Sequence, residues 1–252
     1  MKVVINPVYE PYRALIESLP THGFTAQHTF CRHRNLVAVW QMGECMTVVK
    51  RYKRPTWANC FIYTFFRKNK AQRAYENALL LLSHGFESPA PIAYIVVKRY
   101  GLVHTCYFIS AYLPRATLLQ VDAALEDETE RLALWKSYME FARDMHRHRL
   151  FLRDNNASNT LVDSFQNRYR FALVDINRLQ TNVRPQWPQL VIFFYQLGLP
   201  LERLLRILPY YRPISEGRKR KFAYDYAAFD KWRKKKHRIK QMLKRWFVKG
   251  KI

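Results

Sequence analysis

The hydrophobic pattern is mainly strand-like early in the chain and mainly helical later, and that order restricts the fold more than any other feature. Between residues 25 and 52 apolar and polar positions alternate, as strands require; from 128 to 148 apolar residues recur at helical spacing. The early runs are Leu36–Trp40 and Thr47–Lys50, with Met42-Gly43-Glu44 as the turn between them. Ala93–Val97 and Tyr107–Tyr112 follow, joined through Arg99-Tyr100-Gly101. One helix interrupts the strands. Over 68–84, Ala71, Tyr75, Ala78, Leu79 and Leu82 share a face, Gly85 follows as a cap, and Pro89 and Pro91 block continuation.

In the second stretch Leu134, Tyr138, Phe141 and Met145 form one stripe, with Leu132 and Trp135 beside it. A loop over Phe151–Ser158 leads to two short strands, Thr160–Val162 and Arg170–Val174. From about Pro185 the pattern is helical and increasingly basic. The order predicts an α+β chain: a β-rich first lobe with one main helix (1–113), then a helical second lobe (114–252). That is the order of a two-lobed protein-kinase-like fold.

Composition sets the surroundings. Apolar residues make up 49% and aromatics 15%, enough for a sizeable core and too many for a disordered chain. Cys31, Cys45, Cys60 and Cys106 form no C-x-x-C pair, which argues against a zinc site or a disulfide framework and points to a reducing cytoplasm. The opening MKVVINPVYE has neither the apolar run nor the cleavage site of a signal peptide. Leu190–Leu208 is broken by Gln196, Pro200, Glu202, Arg203 and Arg206, too often for a membrane span. The net charge of +24 calls for an anionic partner: nucleic acid, an anionic membrane or a phosphorylated glycan.

Four pieces carry chemistry. In LRDNNASN (152–159), Asp154 precedes Asn159 by five residues on one loop. A phosphoryl-transfer site needs a carboxylate beside the attacking hydroxyl and an oxygen ligand for magnesium, and this pair supplies both; the alternative is a solvated turn. Asp175 ends the apolar strand FALVD, where a kinase places its metal-binding aspartate. Lys50 ends the β-branched run TVVK, as the lysine that holds ATP phosphates does, with Lys53 a competitor. Glu76 is the only acidic residue of the first helix and is placed to pair with that lysine. Each has a commoner structural reading alone; together they stand in the right order on the right elements.

These segments resemble the lipopolysaccharide kinases, the family that phosphorylates Kdo and inner-core heptose. The resemblance rests on VVKRYKRP (48–55), YTFFRKNKAQRAYENALLLL (63–82), SPAPIAYI (88–95), LRDNNASNTLV (152–162) and FALVDINRL (171–179). It implies a protein-kinase-like fold, ATP and Mg²⁺, and a sugar hydroxyl of a lipid A–core glycolipid as acceptor. It implies Asp154 as catalytic base, Asn159 and Asp175 as metal ligands, and Lys50 with Glu76 as ATP-binding residues. Departures from the kinase pattern are plain. No G-x-G-x-x-G precedes Lys50, and FCRHRNLVAVW holds no glycine, leaving Arg34 and Asn35 as candidates for phosphate contacts. The usual His before Arg-Asp is Leu152, Asp-Phe-Gly is Asp175-Ile176-Asn177, and no Ala-Pro-Glu follows.

Other residues read structurally. His146 and His148 suit the negative end of their helix, Asp144 pairs with Arg143 on the surface, and the aromatic cluster at 61–66 belongs to the core. The tail from Arg212 carries RKRK (218–221) and KWRKKKHRIK (231–240) with Phe222, Tyr224, Tyr226, Phe229, Trp232, Trp246 and Phe247. It reads as a basic amphipathic helix for the anionic inner face of the cytoplasmic membrane, with packing on the helical lobe the alternative. Two other functions fit less well: a kinase-fold phosphotransferase acting on protein or a small molecule, and an inactive kinase-like basic binding protein. Nucleic acid is not expected as partner.

Overall fold

A computed structural model describes residues 1–31, 35–165 and 168–249. Two compact units emerge: Met1–Val121 with Ser158–Leu179, and Asp122–Ala157 with the chain from Gln180 onward. The boundary expected near Leu113-Pro114 lies short of Val121. The strand pair over 160–173 groups with the first unit, because its backbone bonds run there: Leu173 N donates to Glu87 O and Val162 N to Ala116 O, both at 2.9 Å.

The first unit is built on a six-stranded antiparallel sheet in the order β1-β5-β6-β4-β3-β2. In chain order its elements are β1 (Lys2–Ile5), α1 (Arg13–His22), β2 (Ala26–Cys31), β3 (Asn35–Met42), β4 (Cys45–Tyr52), α2 (Trp57–Phe65), α3 (Lys70–Ser83), β5 (Pro91–Arg99) and β6 (Leu102–Ala111). Sequence periodicity predicts nothing before residue 25. Yet β1 pairs with β5, and α1 buries Ile16 and Leu19. Alternation along the strands sorts two cores. Val49, Ala93, Ile95, Tyr107 and Ile109 pack with α1 on one face. Tyr52, Tyr94, Val96 and Cys106 pack with Ala71 and Tyr75 of α3 on the other.

Both predicted turns form. Gly43 at φ +59 joins β3 to β4, and Tyr100 and Gly101, at φ +51 and +76, join β5 to β6 as a two-residue hairpin loop. The helix over 68–84 is α3, capped by Asn69, whose side chain accepts from Gln72 N. Gly85 at φ +79 ends it: Phe86 N bonds Leu81 O and Gly85 N bonds Leu82 O. Its buried stripe is Ala71, Ala74, Tyr75, Ala78 and Leu81; the expected Leu79 and Leu82 are exposed. The 61–66 cluster departs further from expectation. It lies on α2, with Phe61, Phe65 and Phe66 exposed.

The second unit takes over within α4 (Leu118–Ala124) and is dominated by α5 (Glu128–Arg147), capped by Asp127. The expected stripe is buried at Leu134, Tyr138 and Met145. β7 (Phe151–Leu152) opens the loop after α5. The first-unit pair β8 (Thr160–Phe165) and β9 (Arg168–Leu173) follows, then β10 (Leu179–Gln180), α6 (Trp187–Tyr195), α7 (Leu201–Tyr211) and α8 (Glu216–Lys249). Gly198, at φ +76, and Pro200 separate α6 from α7. No helix among the described residues is long and apolar enough to cross a membrane.

Two readings of this unit change. His146 is buried, its Nδ1 2.8 Å from the Tyr211 hydroxyl, and burial pushes its imidazole down to about 4. It is neutral at pH 7 and brings no cation to the helix end. The α8 aromatics mostly pack rather than face outward: Phe222 is buried, Tyr226 lies tilted against Tyr195 of α6, and Phe229 meets it edge-on, both at 5.0 Å between ring centres. Tyr195 and Tyr226 bond Asp230 and Leu199 O. Tyr224 and Trp232 are exposed, as are residues 231–240, while Trp246 and Phe247 lie outside the described side chains.

Candidate active site

The lysine strand comes first. Lys50 and Tyr52 alternate onto the α3 face of the sheet, and Lys50 sits opposite Val37 and Phe108 in register. Its Nζ lies 2.5 Å from Asp175 Oδ1 and 5.4 Å from the centre of the Tyr52 ring. Tyr52 is buried, and that burial, with the Asp175 carboxylate nearby, holds its phenol well above the ordinary value. Tyr52 therefore stays neutral and offers Lys50 a ring face rather than a charge.

Asp175 stands two residues beyond β9, in the left-handed region at φ +54, ψ +41. An aspartate tolerates that region better than most residues. A short helical turn, Ile176–Arg178, follows it. Asn177 Nδ2 donates to Asp175 Oδ1 at 2.6 Å, so one carboxylate oxygen gathers an ammonium and an amide. Asn77 of α3 secures the turn from outside, donating Nδ2 to Ile176 O at 2.7 Å.

Asn159 immediately precedes β8, and Val174 N donates to its carbonyl at 2.9 Å. With Thr160 opposite Leu173, the hairpin brings Asn159 and Asp175 together at its open end. Lys50, Asn159 and Asp175 thus belong to one unit. Glu76 lies on the same helix as Asn77, but its carboxylate is taken by Lys68 at 2.8 Å and Gln72 at 3.1 Å, while Lys50 is held by Asp175. Asn35 Oδ1 accepts from Lys53 N at 3.1 Å, so its side chain closes the strand end; Arg34 lies outside the described residues.

Asp154 belongs to the second unit, on the loop after β7. Its carbonyl accepts from Asn156 N at 3.0 Å. The next residue pins the loop. Asn155 is 1% exposed; its Oδ1 accepts from the Tyr138 hydroxyl of α5, its Nδ2 donates to Phe193 O of α6, and its backbone N–H donates to Gln196 Oε1. Sequence reasoning missed both Asn77 and Asn155. The signal available for Asn77 was a polar side chain one position past Glu76 on a helix with a buried face. For Asn155 there was only a second amide in a polar loop.

The first unit thus joins a strand lysine to a hairpin aspartate, and the second holds its Asp154 loop between α5 and α6. No curated protein matches the chain in sequence. Among solved structures, WaaP in complex with acyl carrier protein superimposes with a TM-score of 0.59 at 15% identity, covering 94% of this chain and 98% of that one. A MAP kinase from Leishmania major, LmaMPK10, gives 0.43 at 16% identity, over 71% of this chain and 53% of its own. The fold is kinase-like, as the element order predicts. The profile of the lipopolysaccharide kinase (Kdo/WaaP) family matches residues 13–189, across β4, α3 and the hairpin. The chain is a phosphotransferase of that kind, and it belongs to the lipopolysaccharide kinase (Kdo/WaaP) family.

Proposed function

We propose that this kinase transfers the terminal phosphoryl group of ATP to a sugar hydroxyl, on Kdo or heptose, of the lipopolysaccharide inner core. The acceptor is a lipid A–core glycolipid at the inner face of the cytoplasmic membrane. The observation that carries the reading is the Lys50–Asp175 contact of 2.5 Å at the end of a hairpin that also ends in Asn159. Lys50 then serves the ATP phosphates as a compact cation. Asn159 and Asp175 form an oxygen-only donor pair of the kind Mg²⁺ takes, and the residues fit that ion. The charge such an ion supplies offsets that of the phosphate oxygens.

Asp154 accepts the proton of the attacking hydroxyl on a carboxylate oxygen, and Asn155 holds it in place. The reading asks Lys50 to meet Glu76 only when nucleotide draws it from Asp175. The charge of +24 and the exposed lysines of α8 suit an acceptor that carries phosphates of its own.

The test compares the lipid A–core of cells with and without the gene by mass and phosphate position. Loss of one phosphate from a Kdo or heptose on deletion is expected, restored by the wild-type gene but not by Asp154→Ala. An unchanged core, with phosphate instead transferred to protein in the same extract, would reject the acceptor.

A further inference from the structure

One helix serves no part of the proposed chemistry and is built inside out. Successive residues on α2 turn by about 100°. Cys60, Tyr63 and Thr64 share the side that faces the sheet. The Thr64 hydroxyl accepts from Val103 N at 2.9 Å and donates to Cys60 O, Cys60 is buried, and Tyr63 packs on the Tyr52–Cys106 cluster. The other side carries Phe61, Ile62 and Phe65, with Phe66 at the C-terminal end, and Trp57 stands exposed at the first position of the helix. Their exposure runs from 39% at Ile62 to 78% at Trp57. Phe61 lies 4.9 Å from Phe65 and 5.8 Å from Phe66 between ring centres, so the rings form one patch. A surface helix ordinarily turns such a face inward, and a contiguous exposed apolar patch marks an interaction site.

Charge identifies what the patch fits. Residues 51–70 hold six basic side chains, Arg51, Lys53, Arg54, Arg67, Lys68 and Lys70, and no acidic one. Arg51, Lys53 and Arg54 are exposed before the helix, and Arg67 and Lys68 after it; Lys68 also reaches Glu76. The β5–β6 tip adds to this edge. Partial burial, then the charges of Arg54 and Arg99, holds the His104 imidazole below its usual value. Tyr100, beside Arg99, is 88% exposed. A ridge of aromatic rings flanked by cations matches the boundary between acyl chains and anionic headgroups. A second copy of this chain would meet the ridge with the same positive charge.

We infer that α2 is a bilayer-docking helix, seating Trp57, Phe61, Phe65 and Phe66 among the lipids while Lys53, Arg54, Arg67 and Lys68 engage anionic headgroups. The inference rests on the proposed lipid-linked acceptor and moves the docking aromatics from the tail to the sheet-bearing unit.

The test is sedimentation of the full chain with vesicles of phosphatidylglycerol and phosphatidylcholine, or of phosphatidylcholine alone, across a salt series. Trp57→Ser/Phe65→Ser/Phe66→Ser alters only exposed side chains, and its urea midpoint checks the fold. The triple variant is expected to bind anionic vesicles at least tenfold more weakly. Each neutralised flanking cation should cost about fivefold. In wild type, brominated lipid should quench a tryptophan signal that Trp57→Phe removes. Wild-type-like binding by the folded triple variant overturns the inference. So does patch-dependent dimerisation without lipid while vesicle binding stays unchanged. Delipidated core oligosaccharide separates the two readings. The triple variant should phosphorylate it at the wild-type rate. If wild type phosphorylates neither it nor the intact lipid A–core, the acceptor is rejected while the vesicle result still judges α2.

Discussion

Asn155→Ala is the substitution whose cost the structure sets most directly. Truncation removes the acceptor of the Tyr138 hydroxyl and the donor to Phe193 O, and both partner residues are buried. Each buried group left without a partner costs about 1–3 kcal/mol, so the two together cost about 2–6 kcal/mol. With a urea slope of about 2 kcal/mol per M, the unfolding midpoint falls by about 1–3 M. Tyr138→Phe removes one donor and orphans only Asn155 Oδ1, costing about 1–2 kcal/mol. In the double variant the phenyl ring needs no acceptor, so the combined loss is smaller than the sum, with a coupling of about 0.5–3 kcal/mol. Urea titrations of wild type, both single variants and the double variant read all of this from tryptophan fluorescence. Asn155→Ala within about 0.5 kcal/mol of wild type, or a strictly additive cycle, refutes the anchoring role.

Asp154→Ala should lower phosphoryl transfer by about 10²–10⁴-fold with an unchanged unfolding midpoint; near-normal turnover in the folded variant removes Asp154 as base. Asp175→Asn should weaken activity in a way that added Mg²⁺ partly restores, and an unaltered Mg²⁺ dependence contradicts its role as ligand. His146 titrates near 4 in the folded chain and near 6.5 unfolded, so the unfolded state takes the proton first. Its contribution is therefore complete above pH 6.5 and falls by up to roughly 3 kcal/mol as pH drops towards 4. Stability–pH curves of wild type and His146→Gln should diverge over that window and run parallel above it.

Much of the fold could be read because α3 and α5 each bury one face, which writes a period into the sequence, while β5 and β6, buried on both faces, stand out as short apolar runs. The hairpin aspartate and the strand lysine were legible for the same reason: each ends an apolar run. α2 was misread because hydrophobicity says that a residue avoids water, not whether this chain or another surface covers it. Phe61 and Phe65 keep helical spacing, but their stripe points away from the sheet. Asn155 and Asn77 were silent because an amide that pins a turn looks, in sequence, like an amide that faces solvent. The partners of Glu76 depended on the neighbouring coil: Lys68 precedes α3 and reaches its carboxylate before a lysine on β4 does.

The first unit is interrupted in sequence, and this sets a clock on its completion. Lys50 and Asp175 are separated by 125 residues (175 minus 50), and the ribosome delivers about 5–20 residues per second. The strand lysine therefore emerges roughly 6–25 s before its carboxylate. No single break in the chain can release this unit whole. A fragment ending at residue 121 carries the six-stranded sheet but lacks Asn159, Asp175 and the Ile176 carbonyl that Asn77 holds. The nascent sheet must wait for its last hairpin, and a polypeptide split between residues 121 and 158 would regain the lysine's partner only by reassembly of its two pieces.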